Sequence, residues 1–225
     1  MKTFAKRIAG LVAAVLVPLA LAGCGINAIP TKEETAKTRW ADVQAAYQRR
    51  ADLIPNLVAT VKGYAAQERN VLVEVTNARA RATGVNVSPD TLTDPAKFQQ
   101  FQAAQDQLGG ALGRLLVVVE KYPELKSNQN FLALQSQLEG TENRINIARR
   151  DYNEAVRDYN TSLRTFPTVI WAKTMYGSSK PMQLFQASAT AQSAPTVSFD
   201  APASPPAGAA PGSAPPPAAA PAPAQ

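Results

Sequence analysis

Histidine is absent from the 225 residues, and cysteine occurs once. Without histidine the serine triad, the cysteine–histidine pair and the common zinc ligand sets are lost together. A lone cysteine cannot close an intrachain disulfide, so pairing says nothing about the redox compartment. The 12 glycines form no phosphate-cradling loop, which leaves carboxylates such as Glu68 or Glu142 as the only material for acid–base chemistry, without a partner constellation around them. Net charge is also modest. Setting aside Lys2, Lys6 and Arg7 from the 23 basic residues leaves 20 against 17 acidic ones, a balance of +3, which is no nucleic-acid signature. These absences point to a protein that is not an enzyme, with no cofactor, no metal, no small-molecule substrate and no nucleic-acid partner.

What is present begins at the amino terminus. Lys2, Lys6 and Arg7 precede an apolar run over residues 8–21, interrupted by Gly10 and Pro18 and ending in Leu21-Ala22-Gly23-Cys24. Fourteen apolar residues reach only about 21 Å as a helix, short of a hydrocarbon core of about 30 Å. The pattern resembles a bacterial lipoprotein signal, with residues 1–23 removed by cleavage between Gly23 and Cys24. That resemblance implies lipidation of the Cys24 thiol. Three acyl chains would anchor the protein stably where one would not, at roughly 0.8 kcal/mol per buried methylene. An uncleaved membrane anchor is the alternative. Residues 24–37 are polar, contain Pro30 and read as a linker, with Thr31 and Glu34 as a possible capping box from which a helix starts.

The middle of the chain is periodic. From Trp40 a seam runs through Val43, Tyr47, Arg50, Ile54, Leu57, Val61, Tyr64, Glu68, Val71, Val75 and Ala78 in alternating steps of three and four, the spacing of a helix turned toward partner helices. Pro55 lies inside it and predicts a kink. Arg50 and Glu68 interrupt the seam and read as snorkelling or paired charges. Residues 85–93 read as a loop. Asp94 then caps a second helix with Pro95 in its first turn, whose seam is Phe98, Phe101, Gln105, Leu108, Leu112, Leu115, Val119 and Tyr122. Gly109 and Gly113 would permit close backbone approach there. Pro123 ends it, and Ser127 or Asn128 caps the third helix.

That third helix, residues 131–166, repeats for five heptads without proline and would span roughly 55 Å. Phe131, Leu134, Leu138, Thr141, Ile145, Ala148, Tyr152, Ala155, Tyr159, Ser162 and Phe166 form its seam. The heptad beginning Arg150-Asp151-Tyr152-Asn153 nearly recurs as Arg157-Asp158-Tyr159-Asn160. Asn146, Asn153 and Asn160 therefore make one stripe beside the seam, read as bonding to neighbouring helices. Arg150, Arg157 and Arg164 make another, which is a candidate face for an acidic partner. Residues 168–185 are apolar for a loop; they read as a short helix covering the bundle end, or else as a membrane or partner contact. Residues 201–225 hold nine prolines and eleven alanines with no charge, a composition that cannot build a core.

Several separated motifs carry a family likeness: Tyr47-Gln48-Arg49-Arg50-Ala51-Asp52-Leu53-Ile54-Pro55-Asn56-Leu57-Val58, Tyr122-Pro123-Glu124-Leu125-Lys126, Asn130-Phe131-Leu132, Glu142-Asn143-Arg144-Ile145, and Tyr152-Asn153 through Phe166-Pro167. Over roughly residues 38–199 the chain resembles the LemA family. The resemblance implies an elongated helical bundle attached to a bacterial membrane and standing on its outer side, with no established enzymatic activity. A lipobox in place of an uncleaved membrane helix and an added proline–alanine tail depart from the family pattern.

The expected architecture is all-α: an elongated antiparallel bundle of three long helices plus a short C-terminal helix in residues 38–186, followed by a disordered Pro/Ala-rich tail in residues 187–225. The expected function is a cell-envelope lipoprotein, held to the membrane by its N-terminal lipid and facing the periplasm or cell exterior. It would serve as a scaffold or adaptor for an envelope protein partner. A lipid-binding or membrane-remodelling helical module is the alternative.

Overall fold

A computed structural model describes residues 25–186; the signal, Gly23, Cys24 and the tail lie outside the described residues. Every regular element among them is helical: α1 (Ala28–Tyr64), α2 (Arg69–Gly84), a 3-10 turn (Pro89–Leu92), α3 (Pro95–Val119), α4 (Pro123–Lys126), α5 (Gln129–Ser162) and α6 (Thr168–Thr174). The all-α bundle expected from periodicity is what forms. Asp94 caps α3 by accepting from the Ala96 and Lys97 amides, with Pro95 at the first helical position. Asn128 caps α5 by accepting from the Asn130 and Phe131 amides.

α1 and α5 lie antiparallel along their whole length. Lys32 Nζ donates to the Asp158 carbonyl at 3.4 Å, Arg49 to Gln137 at 3.4 Å and Asn128 Nδ2 to Tyr64 Oη at 2.8 Å. α2 lies antiparallel to α3: Gln105 Nε2 reaches the Ala82 carbonyl at 3.3 Å, Arg114 pairs with Glu74, and Tyr122 Oη donates to Glu68 at 2.8 Å.

Three boundaries differ from those the sequence suggests. α1 begins at Ala28 rather than after Thr31, so residues 28–37, expected as a linker, are helical. Ile29 and Ala36 are fully buried there, and that tertiary burial extends the helix past the local capping signal. The seam expected to run as one helix from Trp40 to Ala78 is a hairpin. α1 stops at Tyr64, the chain turns through Ala65 and Glu68, and α2 folds back. A heptad seam has the same spacing in one straight helix and in two antiparallel ones, so periodicity cannot distinguish them. Folding back lets Leu72, Val75, Ala78 and Ala82 bury against Ile54, Leu57, Val61, Leu108 and Leu115. Finally, α5 ends at Ser162, leaving the expected seam residue Phe166 81% exposed.

Pro55 sits within α1, which continues through it. Proline removes the N–H that would have bonded the carbonyl four residues back, which belongs to Ala51. Arg79 of α2 takes that acceptor, its Nε lying 2.8 Å from Ala51 O. The hairpin thus satisfies a backbone group that the proline orphans.

The core has two parts. Trp40, Tyr47, Phe98, Phe101, Tyr152 and Phe185 make an aromatic half, with ring centroids 4.9 Å apart for Phe98 and Phe185 and 5.2 Å for Trp40 and Phe101. The other half is aliphatic apart from Phe131 and the flanking Tyr122. Buried Arg50, Gln105 and Thr141 belong to neither cluster. Arg50 is paired, as the sequence suggested: Nη1 donates to Glu142 at 3.1 Å, Nη2 to Gln105 Oε1 at 2.8 Å and to the Gln105 carbonyl at 3.2 Å. Its Nε alone lacks a partner. A buried guanidinium survives only with such compensation.

The close approach expected at Gly109 and Gly113 does not occur. A Cβ at Gly109 would meet only Arg50 Nη1, at 4.0 Å, and one at Gly113 nothing within 4 Å. α3 packs on α1 and α2 instead, so the two glycines line an apolar groove of about 380 Å³ with Leu57, Leu112, Leu116 and Leu138.

Candidate functional site

The described chain ends in a strap, residues 180–186, clamped along α5. Asn153 and Phe185 exchange two bonds, Nδ2 donating to the Phe185 carbonyl at 3.0 Å and the Phe185 amide donating to Oδ1 at 2.9 Å. Asn160 and Met182 make the same pair at 2.9 Å in each direction. Tyr152 Oη donates to the Gln183 carbonyl at 2.9 Å, and Tyr159 Oη to the Lys180 carbonyl at 3.3 Å. On its other side the strap's Gln183 amide donates to the Leu92 carbonyl at 2.7 Å.

The repeated heptad explains this register. Seven helical residues rise about 10.5 Å, and three extended residues cover about 10 Å. Positions seven apart on α5 therefore meet positions three apart on the strap. Tyr152 and Tyr159 reach Gln183 and Lys180, while Asn153 and Asn160 reach Phe185 and Met182. The tyrosine–asparagine tetrad was visible in the sequence. Its partner was not, and the asparagines, expected to bridge helices, bond the strap backbone instead. Asn146, one heptad earlier, is exposed.

Side chains reinforce the clamp. Met182 and Phe185 are buried while Leu184 is 39% exposed. The Arg149 guanidinium stacks over the Phe185 ring, 4.6 Å from its centroid, and Gln102 Nε2 donates to the Gln186 carbonyl at 2.9 Å. Burial pushes the Tyr152 and Tyr159 phenols above their ordinary value, and both hydroxyls donate to the strap.

The strap starts beside Tyr159, near one pole of the bundle, and runs toward Arg149. At that pole stand Gly25, the start of α1, the end of α5 and α6. A Cβ on Gly25 would lie 3.6 Å from both Thr168 Cγ2 and Trp171 Nε1. α6 folds back on the bundle: Trp171, Ala172 and Tyr176 pack against the aromatic core half, while Ile170 is 49%, Met175 58% and Phe166 81% exposed.

The three arginines of the candidate partner face are exposed. Arg150 and Arg157 lie on α5, but Arg164 follows its end, in the turn whose amide bonds the Thr161 carbonyl, so the helical stripe holds two rather than three. Arg150 pairs with Asp151 at 3.5 Å. The carboxylates considered for acid–base work serve packing: Glu142 accepts from Arg50 and Glu68 from Tyr122. Cys24 and Gly23 lie outside the described residues. Among the described residues no helix is long and apolar enough to cross a membrane.

Magnetosome protein MamQ 2 of Paramagnetospirillum magneticum is 26% identical over 145 residues, covering 57% of this chain and 53% of its own. Magnetosome protein MamQ of Magnetospirillum gryphiswaldense is 25% identical over 143 residues, covering 56% and 53%. Protein LemA of Metamycoplasma hominis is 25% identical over 126 residues, again covering 56% and 53%. The chain spans about half the length of these curated relatives. The LemA family model matches residues 39–199, which takes in nearly all of the bundle and the whole strap, and the chain belongs to the LemA family.

Proposed function

We propose that this protein is a non-catalytic scaffold of the bacterial cell envelope, lipidated on Cys24 after cleavage behind Gly23 and standing on the outer side of the membrane. Family membership and the likeness to the MamQ proteins support a membrane-associated helical protein with no catalytic role. The observation that carries the finer reading is the position of the two ends of the described chain. Gly25, adjacent to Cys24, is packed at the pole against α6. Gln186 is bonded by Gln102 and Arg149, on α5 about 20 Å from Ser162 at 1.5 Å per residue. The two ends of the described chain thus lie at different heights, an arrangement suited to holding a partner away from the bilayer. Exposed Arg150 and Arg157 are the face offered to an acidic protein partner, with Arg164 beyond the helix end.

Cys24→Ser tests the anchor. The variant is expected to remain a full-length precursor, unlabelled when cells are fed a radioactive or alkyne fatty acid, whereas the natural chain is shortened and labelled. A variant of mature length with normal fractionation would remove the lipoprotein reading.

A further inference from the structure

We infer that the pole formed by Phe166, α6 and Met175 is a membrane-contact surface that seats the bundle on the phospholipid headgroup layer. This rests on the lipoprotein reading for its orientation, and on three observations of its own. First, Phe166, Ile170 and Met175 are exposed within ten residues of one another, although the neighbouring side chains of the same segment are packed on the core. Second, no acidic residue occurs between Tyr159 and Gln186, while Arg164, Lys173 and Lys180 do. Apolar side chains ringed by bases match a bilayer interface, where the apolar groups enter the acyl boundary and the bases meet phosphate. The acids at the start of α1 do not oppose this, because Glu33 and Glu34 share Lys37 and Lys32 beside them brings that segment to charge balance. Third, Gly25 rests on Thr168 and Trp171. Consecutive Cα atoms are about 3.8 Å apart, so a lipid on Cys24 would emerge beside this same surface.

The surface does more than tolerate the bilayer. A lipid tether alone does not fix the bundle's orientation on the bilayer. Burying apolar side chains at the interface is favourable, so three such chains entering it together fix the bundle's tilt, with α1 and α5 directed away from the membrane. The strap and the Arg150–Arg157 face then stand above the headgroups.

Tryptophan quenching reads this directly, because the chain has two tryptophans. Trp40 is buried in the aromatic core half, about 18 Å along α1 from Ala28 at 1.5 Å per residue, whereas Trp171, half-buried on α6, directly follows the exposed Ile170 of the proposed contact. Protein purified from cell membranes is reconstituted into vesicles of phospholipid carrying brominated acyl chains, and Cys24 acylation is read separately by mass spectrometry. An interfacial depth of about 5–10 Å should make quenching at least about twofold stronger in the natural chain than in Trp171→Phe. The combined variant Phe166→Ser, Ile170→Ser and Met175→Ser should lose that excess while melting unchanged, since all three side chains are exposed. Equal quenching of the natural chain and Trp171→Phe, with Cys24 acylated, overturns the surface and leaves the lipoprotein reading standing. Strong Trp171 quenching with Cys24 unmodified does the reverse. Undiminished quenching in the triple serine variant overturns the role given to the apolar residues.

Discussion

Replacing Asn153 and Asn160 by alanine should release the strap without unfolding the bundle. Each asparagine makes two hydrogen bonds to strap backbone. At about 0.5–1.5 kcal/mol net per bond, each substitution costs about 1–3 kcal/mol, more toward the upper figure because the strap's N–H and C=O are left without partners in a half-buried place. Ordering the backbone of seven residues costs roughly 7–14 kcal/mol. Burial of Met182 and Phe185 returns only about 3–6 kcal/mol of that. The hydrogen bonds make up the difference, so the clamp decides whether the strap is docked. Hydrogen exchange at the Met182 and Phe185 amides is the assay, since both donate to the asparagines. A loss of 2 kcal/mol, the low end for the double variant, speeds exchange by roughly thirty-fold. Asn146→Ala, at the same heptad position but exposed, should change stability by no more than about 0.5 kcal/mol. Asn153→Asp should be no milder than Asn153→Ala, because one carboxylate oxygen would face the Phe185 carbonyl. If the double alanine variant keeps both amides as protected as the natural chain, the clamp does not hold the strap and the register argument fails.

Arg79→Leu should cost about 1–3 kcal/mol by orphaning the Ala51 carbonyl, but much less when combined with Pro55→Ala, which restores a helical N–H to that acceptor; strictly additive losses in denaturant titrations would refute the account of the hairpin. Changing Arg150, Arg157 and Arg164 together to Gln should leave folding within about 1 kcal/mol and weaken association with acidic partners at low salt. Recovery of every partner by that variant in pull-downs would show that the arginines are not the contact face.

Which stretches are helical and which side chains form their seams was legible in residue spacing. Alternating steps of three and four placed Trp40, Val43, Tyr47, Phe98, Phe101, Ile145, Tyr152 and Tyr159 inside, because an amphipathic seam carries its own address in its spacing. Strong local punctuation was equally legible: Asp94 with Pro95 and Asn128 both cap as residue type predicts. Tertiary structure decided whatever depended on a partner distant in the chain. A heptad pattern does not say whether a helix continues or turns back, so the hairpin at Ala65–Glu68 emerged only with α2 packed on α1 and α3. Pro55 predicted a lost backbone bond, but not that Arg79 would replace it. The tetrad Arg-Asp-Tyr-Asn recurred plainly, yet an asparagine amide suits another helix and an extended backbone equally well, and only the folded chain brought residues 180–186 to it. Phe166 continued the spacing of α5, but spacing has no meaning once the helix has ended, and in the folded chain the Ser162 carbonyl accepts from Thr168 Oγ1 at 2.6 Å as the chain turns into α6.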